Sequence, residues 1–126
     1  MKSLQIKKPN IKLDLLYLFS FLIPTLTMLV IFVIQHIYPF GERSFLHIDM
    51  YHQYFPFLVE FYHKLRNGES LFYSWNTGIG SNFLALYVYY LASPANWLCV
   101  LIPEKFLMEF LSYMVVLKIG LCGLTF

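Results

Sequence analysis

The sequence predicts an all-α membrane protein, with polytopic helices that cross the bilayer and an external loop of amphipathic or interfacial helices. Residues Leu15 to Ile34 carry no charge. A second apolar stretch covers residues 106–126 and is interrupted only by Glu109 and Lys118. The whole chain is 59% hydrophobic and 13% charged, whereas soluble domains contain roughly 25% charged residues. These three observations exclude an ordinary soluble domain.

The first transmembrane helix is predicted over residues 15–38. A 20-residue apolar helix spans about 30 Å, which matches the hydrocarbon core of a bilayer. In lipid the backbone must satisfy its own hydrogen bonds, so the segment has to be helical. Pro24 lies near its middle and predicts a kink. Bulky residues follow the segment instead of a signal-peptide cleavage site, and we therefore expect an uncleaved anchor.

The charges beside this helix predict its orientation. Four lysines precede it against the single acid Asp14, namely Lys2, Lys7, Lys8 and Lys12. Because cytoplasmic flanks are rich in lysine and arginine, residues 1–14 are predicted in the cytoplasm and residues 39–105 outside. The net charge of +2 is small and the basic residues form no groove-like cluster, so nucleic acid is not an expected partner.

Polar side chains fall on one face of an amphipathic helix predicted over residues 44–66. At 100° per residue they occupy an arc of about 120°, and they are Asp49, His52, Gln53, Glu60, His63 and Lys64. Asn67 and Gly68 provide a helix stop, and Pro56 predicts a kink or a break. The stripe is either the solvated face of an interfacial helix or the lining of a site for lipid headgroups.

Metal binding is an alternative role for the same stripe. Asp49 and His52 have the i,i+3 spacing of carboxylate–histidine ligands, and so do Glu60 and His63. The two pairs are separated by roughly 16 Å along a straight helix. They cannot share one ion unless Pro56 folds the segment sharply. We therefore predict no metal and no other cofactor.

A glycine-rich segment follows, in which Trp75, Asn76 and Asn82 flank glycines at 78 and 80. No lysine follows these glycines and no hydrophobic strand precedes them, so a nucleotide-binding loop is not expected. An aromatic ring beside amides suits a sugar, because the ring covers its apolar face while the amides reach hydroxyls. The alternative is an ordinary turn between helices.

Residues 83–102 are apolar but are a poor span. Ser93 and Pro94 interrupt them, and tyrosines and Trp97 favour the membrane interface. We predict interfacial or re-entrant helices here, with a full span as the alternative, followed by a truncated transmembrane helix over 106–126. Lys118 lies deep in that helix, where a charge either snorkels or serves function. Since the chain stops inside an apolar stretch, we expect an N-terminal fragment of a longer protein.

The order of these features resembles the start of the YfhO family of bacterial multispanning membrane proteins. The most specific parts are Asp49 with the QYFPF run of residues 53–57, and the WNxGxGxN pattern of residues 75–82. The family is usually placed with the GT-C glycosyltransferases, which take a sugar from a polyprenyl-phosphate carrier on the outer face of the membrane. In Gram-positive bacteria it is associated with sugar decoration of lipoteichoic acid or other envelope glycopolymers.

This resemblance implies roles for individual residues. Asp49 occupies the place of the GT-C catalytic acid, just after the first span, and would act as general base. The other residues expected to bind substrate are His52, Gln53, His63, Arg66, Trp75, Asn76, Asn82 and Lys118. The implied partners are the lipid bilayer, a polyprenyl-phosphate-linked sugar and an envelope glycopolymer acceptor, and the implied location is the bacterial cell membrane. A lipid-linked substrate transporter (flippase) and a non-catalytic membrane scaffold fragment remain alternatives.

Overall fold

The computed structural model describes residues 15–126, so the segment predicted as cytoplasmic, 1–14, lies outside the described residues. The predicted all-α class is confirmed, because helices predominate and the described strands form one two-residue pair. The elements are α1 (Leu15–Ile34), a π-helical turn (Met50–Tyr54), α2 (Phe55–Asn67), β1 (Tyr73–Ser74), β2 (Ser81–Asn82), α3 (Phe83–Leu86), a second π-helical turn (Tyr87–Leu91), 3-10 helices Pro94–Leu101 and Glu104–Phe106, and α4 (Leu107–Thr125).

Two of the described helices are long and apolar enough to cross a membrane, namely Leu15–Ile34 and Glu104–Thr125. The second consists of the short 3-10 turn and α4. The first ends at Ile34, earlier than the predicted residue 38, because His36 adopts a left-handed conformation with φ 54°. A non-glycine residue in that region cannot continue a right-handed helix.

The two long helices pack side by side and run antiparallel. Gly120 of α4 lies against Phe21 and Thr25 of α1, and one turn later Gly123 lies against Ser20 and Pro24. A Cβ atom at either glycine would overlap these neighbours, including the backbone oxygen of Ser20. Close approach of two helices through small residues is a common packing mode in membranes.

Replacing Gly123 with valine is therefore expected to destabilise the helix pair. The added side chain meets backbone that cannot rotate away, and overpacking of this kind costs about 1–3 kcal/mol. Thermal unfolding of the complete protein in detergent measures the effect. Cys122→Val is the matched control, because Cys122 is exposed beside the same position. Equal unfolding midpoints for the two variants would contradict this packing.

The amphipathic helix begins later than predicted. Its first turn is the π-helical turn at Met50, not residue 44, because Ile48 has a φ of 49° and interrupts any helix from the preceding residues. The hydrogen-bond pattern changes to α at Phe55, and Pro56 occupies the first turn of α2. The hydrogen-bond pattern is irregular at this change from π to α, and such a break in the regular ladder accommodates a residue without an N–H. Gly68 ends α2 in a left-handed conformation, as the Asn67–Gly68 pair predicts.

The hydrophobic core lies beside the long helices rather than between them. It forms where α2 meets the segment 83–101 and the start of α4, and its fully buried members include Leu58, Phe61, Phe83, Leu91 and Leu107. Burial of each such side chain is worth about 1.5–3 kcal/mol. In α1, by contrast, only Phe32 is buried. This core fixes the position of the polar residues on α2.

The segment predicted as broken helices is sharply bent. Helices Phe83–Leu91 and Pro94–Leu101 meet at 104°. The break falls at the predicted position, because Pro94 begins the second helix and cannot continue the first. Two hydrogen bonds stabilise the bend: Asn96 Nδ2 donates to Leu91 O at 3.2 Å, and Trp97 Nε1 donates to Tyr87 Oη at 3.0 Å.

Candidate functional site

A small hairpin is attached to α2 by a cluster of buried polar side chains. Strands β1 and β2 pair antiparallel, with Tyr73 opposite Asn82 and Ser74 opposite Ser81. We refer to residues 70–82 as the hairpin. The hairpin brings the side chains of Ser74 and Asn76 onto Glu60, and backbone carbonyl groups onto Lys64. Glu60 and Lys64 lie one turn apart on α2 and are both buried.

Glu60 accepts hydrogen bonds from two hairpin side chains. Ser74 Oγ donates to Oε1 at 2.5 Å, and Asn76 Nδ2 donates to Oε2 at 3.0 Å. Lys64 Nζ lies 3.5 Å from Oε1. Both carboxylate oxygens of this buried acid therefore have partners, which is the condition under which a charge can be buried at acceptable cost.

Lys64 holds the hairpin backbone. Its Nζ donates to Ser70 O at 3.1 Å and to Tyr73 O at 2.9 Å, and lies 3.6 Å from Glu69 Oε2. The same ammonium lies 5.5 Å from the centre of the Phe83 ring. One cation thus connects α2 with the first four residues of the hairpin.

The pKa of Glu60 is lowered from its ordinary value of 4.5. Burial by itself raises this pKa, but the hydrogen bonds from Ser74 and Asn76 and the charge of Lys64 lower it and together outweigh burial. A lowered pKa in the folded state means that Glu60 stabilises the attachment above its ordinary pKa. That contribution is lost as the pH falls through the folded pKa.

Two open recesses flank this cluster. One, of about 450 Å³, is lined on the hairpin side by Tyr73 and Trp75. The other, of about 440 Å³, is lined by Phe55 to Phe57 and by Thr77 and Gly78. Glu60 and Asn76 lie on the wall of both. Recesses of this size can take a small ligand.

Asp49 and His52 lie away from that cluster, at the start of the first π-helical turn. Asp49 takes the position before Met50, is exposed, and its carboxylate caps no backbone N–H. His52 is also exposed, with its ring edge-on to Tyr51 at 5.3 Å between centroids. Both side chains are accessible to a ligand.

The next three predicted residues along the chain contact the bent segment and the 3-10 helix Glu104–Phe106 that precedes α4. Gln53 Oε1 accepts a hydrogen bond from Tyr90 Oη at 2.5 Å. His63 Nε2 lies 3.2 Å from Glu104 Oε1, with both side chains partly exposed. Arg66 donates to Val100 O at 3.4 Å. These contacts hold α2 and the preceding turn against their neighbours. Each of the three side chains already has one polar partner.

The predicted sugar-binding residues of the hairpin differ in their accessibility. Trp75 is 77% exposed and packs edge-on against Tyr73 at 4.9 Å. The amide nitrogen of Asn76 donates to Glu60. Asn82 Oδ1 accepts from the backbone N–H of Ala85 and caps α3. Trp75 is therefore free to stack on a ligand, whereas the two amides each have a structural partner.

Lys118 lies in α4, eleven residues after Leu107, which places it roughly 16 Å along the helix axis from the start of α4. It is partly buried. The structure thus separates the predicted residues into four places: the first π-helical turn with Asp49, His52 and Gln53, the C-terminal end of α2, the hairpin, and the interior of α4. Among residues 15–126, no group of three or more His, Cys, Asp or Glu side chains could hold a metal ion.

The buried cluster is not among the sites that the sequence pattern predicts. The pattern places Glu60 and Lys64 on the polar face of the helix, but it does not connect them with the hairpin or with Ser74. Their i,i+4 spacing was a visible signal of an ion pair. Nothing local in the sequence indicates that the pair is buried, because the burial depends on the hairpin folding over α2.

The protein has two long apolar helices, and its described polar clusters lie in the chain between them. This arrangement is that of an α-helical membrane protein. The family model described as "Bacterial membrane protein YfhO" matches residues 20–126. This match covers most of the chain, and the chain belongs to the YfhO family. It confirms the family that the motifs at Asp49 and Trp75 indicate. Comparison with curated proteins and with solved structures finds no match.

Proposed function

We propose that the protein is a glycosyltransferase of the GT-C type that moves a sugar from a polyprenyl-phosphate carrier to a cell-envelope glycopolymer such as lipoteichoic acid. The observation that carries the proposal is the exposed carboxylate of Asp49, close in sequence after α1 and at the start of the helix that follows it. Membership of the YfhO family supports a membrane protein in general, and the reaction rests on the likeness of that family to the GT-C enzymes.

The reaction requires a base beside the acceptor hydroxyl. The hydroxyl oxygen attacks the anomeric carbon of the sugar, and Asp49 takes the hydroxyl proton. The bond between that carbon and the phosphate oxygen breaks, and polyprenyl phosphate leaves with the electron pair. An exposed carboxylate with no capping role is free to accept such a proton, whereas the carboxylate of Glu60 is engaged by three partners.

The leaving phosphate needs donors or cations. His52 is the predicted residue nearest to Asp49 in the chain, and its exposed ring can donate to a phosphate oxygen. His63 and Arg66 would have to exchange their present contacts with Glu104 and Val100 to do so. Trp75 would cover the apolar face of the sugar. Gln53, Asn76 and Asn82 would assist by holding the surrounding helices and hairpin, and Lys118 would act only on a ligand deep beside α4.

We also propose that residues 39–105 lie on the outer side of the membrane. If α1 and α4 both cross the bilayer, their antiparallel packing requires the intervening chain to begin and end on the same side. A complete crossing by the bent segment 83–101 would make the two helices parallel. The bent segment is then re-entrant or interfacial, and the lysines before α1 place the N-terminus in the cytoplasm.

This topology predicts that a reporter fused after Glu104 reads as external. In a background in which Cys99 and Cys122 are replaced, an impermeant thiol reagent should label a cysteine placed at Ser70 in intact cells. A cysteine placed at Ser3 should stay unlabelled until the cells are opened. The opposite pattern would reverse the orientation, and a cytoplasmic reporter after Glu104 would show that the bent segment crosses the membrane.

Deletion of the gene tests the proposed reaction. An envelope glycopolymer should lose a sugar substituent, and polyprenyl-phosphate-linked sugar should accumulate on the outer face of the membrane. Mass spectrometry of extracted polymers and lipids measures both. Accumulation confined to the inner face would indicate a flippase, and unchanged polymers with unchanged lipids would overturn both proposals.

A further inference from the structure

An apolar groove lies between the bent segment, the start of the second long helix and the loop after α1. It has a volume of about 480 Å³ and is lined mainly by hydrophobic side chains, among them Leu98, Leu101 and Phe106, together with Tyr38, Tyr113 and Glu109. Tyr38 follows α1 by four residues, and Phe106 and Glu109 belong to the first turns of the second long helix. The groove is therefore at the border between the spanning helices and the loop.

Glu109 is the unusual member of this lining. Its Oε2 atom is buried, and no described residue donates a hydrogen bond to it. A buried acceptor without a partner is costly, and native structures rarely leave one without a reason. Glu109 also lines two neighbouring recesses, which contain Arg43 and Lys105, but neither cation forms an ion pair with it among residues 15–126.

The size of the groove favours a lipid over a further helix. One turn of an α-helix with its side chains fills about 400 Å³, and a spanning helix has more than five turns. The groove thus accommodates about one turn: no residue of α1 lines it, and its lining along α4 ends at Met114. A volume of about 480 Å³ also falls within the usual range of ligand sites, about 300–1,000 Å³.

We propose that this groove binds a membrane lipid whose head carries a hydroxyl or ammonium donor, with that donor on Glu109 Oε2. The hydrocarbon part of the lipid fills the apolar lining, and the donor gives the buried oxygen its missing partner. A purely hydrocarbon ligand would leave Glu109 Oε2 without a donor, and so would an anionic phosphate oxygen, which has no hydrogen to donate. The site is separate from Asp49 and does not depend on the proposed sugar transfer.

Photo-crosslinking of the complete protein in phosphatidylcholine vesicles tests this site. Three probes carry the same diazirine-bearing acyl chain: a phosphatidylethanolamine with an ammonium donor, a monoglucosyl diacylglycerol with hydroxyl donors, and a phosphatidylcholine with neither. Mass spectrometry quantifies the label on peptides that cover residues 98–114. At least one donor-bearing probe should label them about tenfold more than phosphatidylcholine, the change that one hydrogen bond to a charged group produces. Whether the ethanolamine or the glucosyl probe dominates identifies the donor.

Three variants test whether the labelling depends on Glu109 and on the groove. Glu109→Leu should lower the labelling by the favoured probe to the level that the phosphatidylcholine probe gives. Leu101→Trp should lower labelling by every probe, because it fills the groove from a position that is 80% exposed and can accept the larger ring. Leu121→Trp is the control on an exposed part of α4 outside the groove and should change nothing. Equal labelling by all three probes, or donor preference that survives Glu109→Leu, would overturn the proposal. So would a groove that stays unlabelled while a cysteine at position 101 crosslinks to another segment of the protein.

Discussion

Asp49→Asn is expected to abolish sugar transfer by the complete protein. Asparagine keeps the size of the side chain but cannot accept a proton at neutral pH. General-base catalysis contributes about 100- to 10,000-fold to rates, so the sugar content of the envelope polymer should fall to the level of the deletion strain. Membrane insertion should be unaffected, because the exposed Asp49 side chain caps no helix.

Glu42→Gln provides the matched control for this variant. Glu42 is another exposed carboxylate of the same loop, and its neutralisation should leave the polymer unchanged. His52→Ala should cause a smaller loss than Asp49→Asn, since the leaving group is already a good one. A near-parental sugar content in the Asp49→Asn strain would rule out Asp49 as the base. A metal site would instead be favoured if variants of Asp49, His52, Glu60 and His63 all lost the same amount of polymer sugar and added divalent ion restored it.

Lys64→Met is expected to detach the hairpin from α2. The change leaves the buried carboxylate of Glu60 without its cation and the carbonyls of Ser70 and Tyr73 without their donor. Removing one member of a buried ion pair costs about 3–5 kcal/mol. Hydrogen exchange of the amides in residues 70–82 should therefore become faster by roughly a hundredfold or more.

The control for the hairpin is Glu69→Gln. This acid also lies near Lys64, but it is about half exposed, and an exposed pair contributes only about 0–1 kcal/mol. Its exchange rates should stay close to those of the parent. The parent hairpin should also open in acid as Glu60 becomes protonated at a pH below 4.5. Slow exchange in Lys64→Met at neutral pH would show that the ion pair does not hold the hairpin.

The apolar part of the fold is readable from the sequence because lipid and proline impose simple rules. An uncharged 20-residue run has to be a helix, and Pro94 has to break the segment around it. The start of the amphipathic helix differs from the prediction for a specific reason. Helical periodicity continues through residues 44–48, but Ile48 takes a left-handed conformation, which hydrophobic pattern does not report.

The candidate site is less predictable, because it depends on contacts between distant parts of the chain. Periodicity places Asp49, Glu60 and Lys64 on one face of one helix. Only the folded hairpin separates their roles, since it buries Glu60 and Lys64 and leaves Asp49 exposed. In the same way, the sequence marks Glu109 as an ordinary charge near a helix end, whereas packing of the bent segment places its Oε2 in a groove without a donor.

The most direct test of the account is sugar transfer by the purified complete protein in vesicles. The vesicles contain a polyprenyl phosphate that carries a radiolabelled sugar, and the envelope polymer extracted from the deletion strain is supplied outside. We expect the label to move into the polymer with release of free polyprenyl phosphate, and we expect no movement with Asp49→Asn. Label that crosses the bilayer while still attached to the lipid would contradict a transferase and identify a flippase. Label that stays on its carrier in its original leaflet would contradict both the transferase and the flippase.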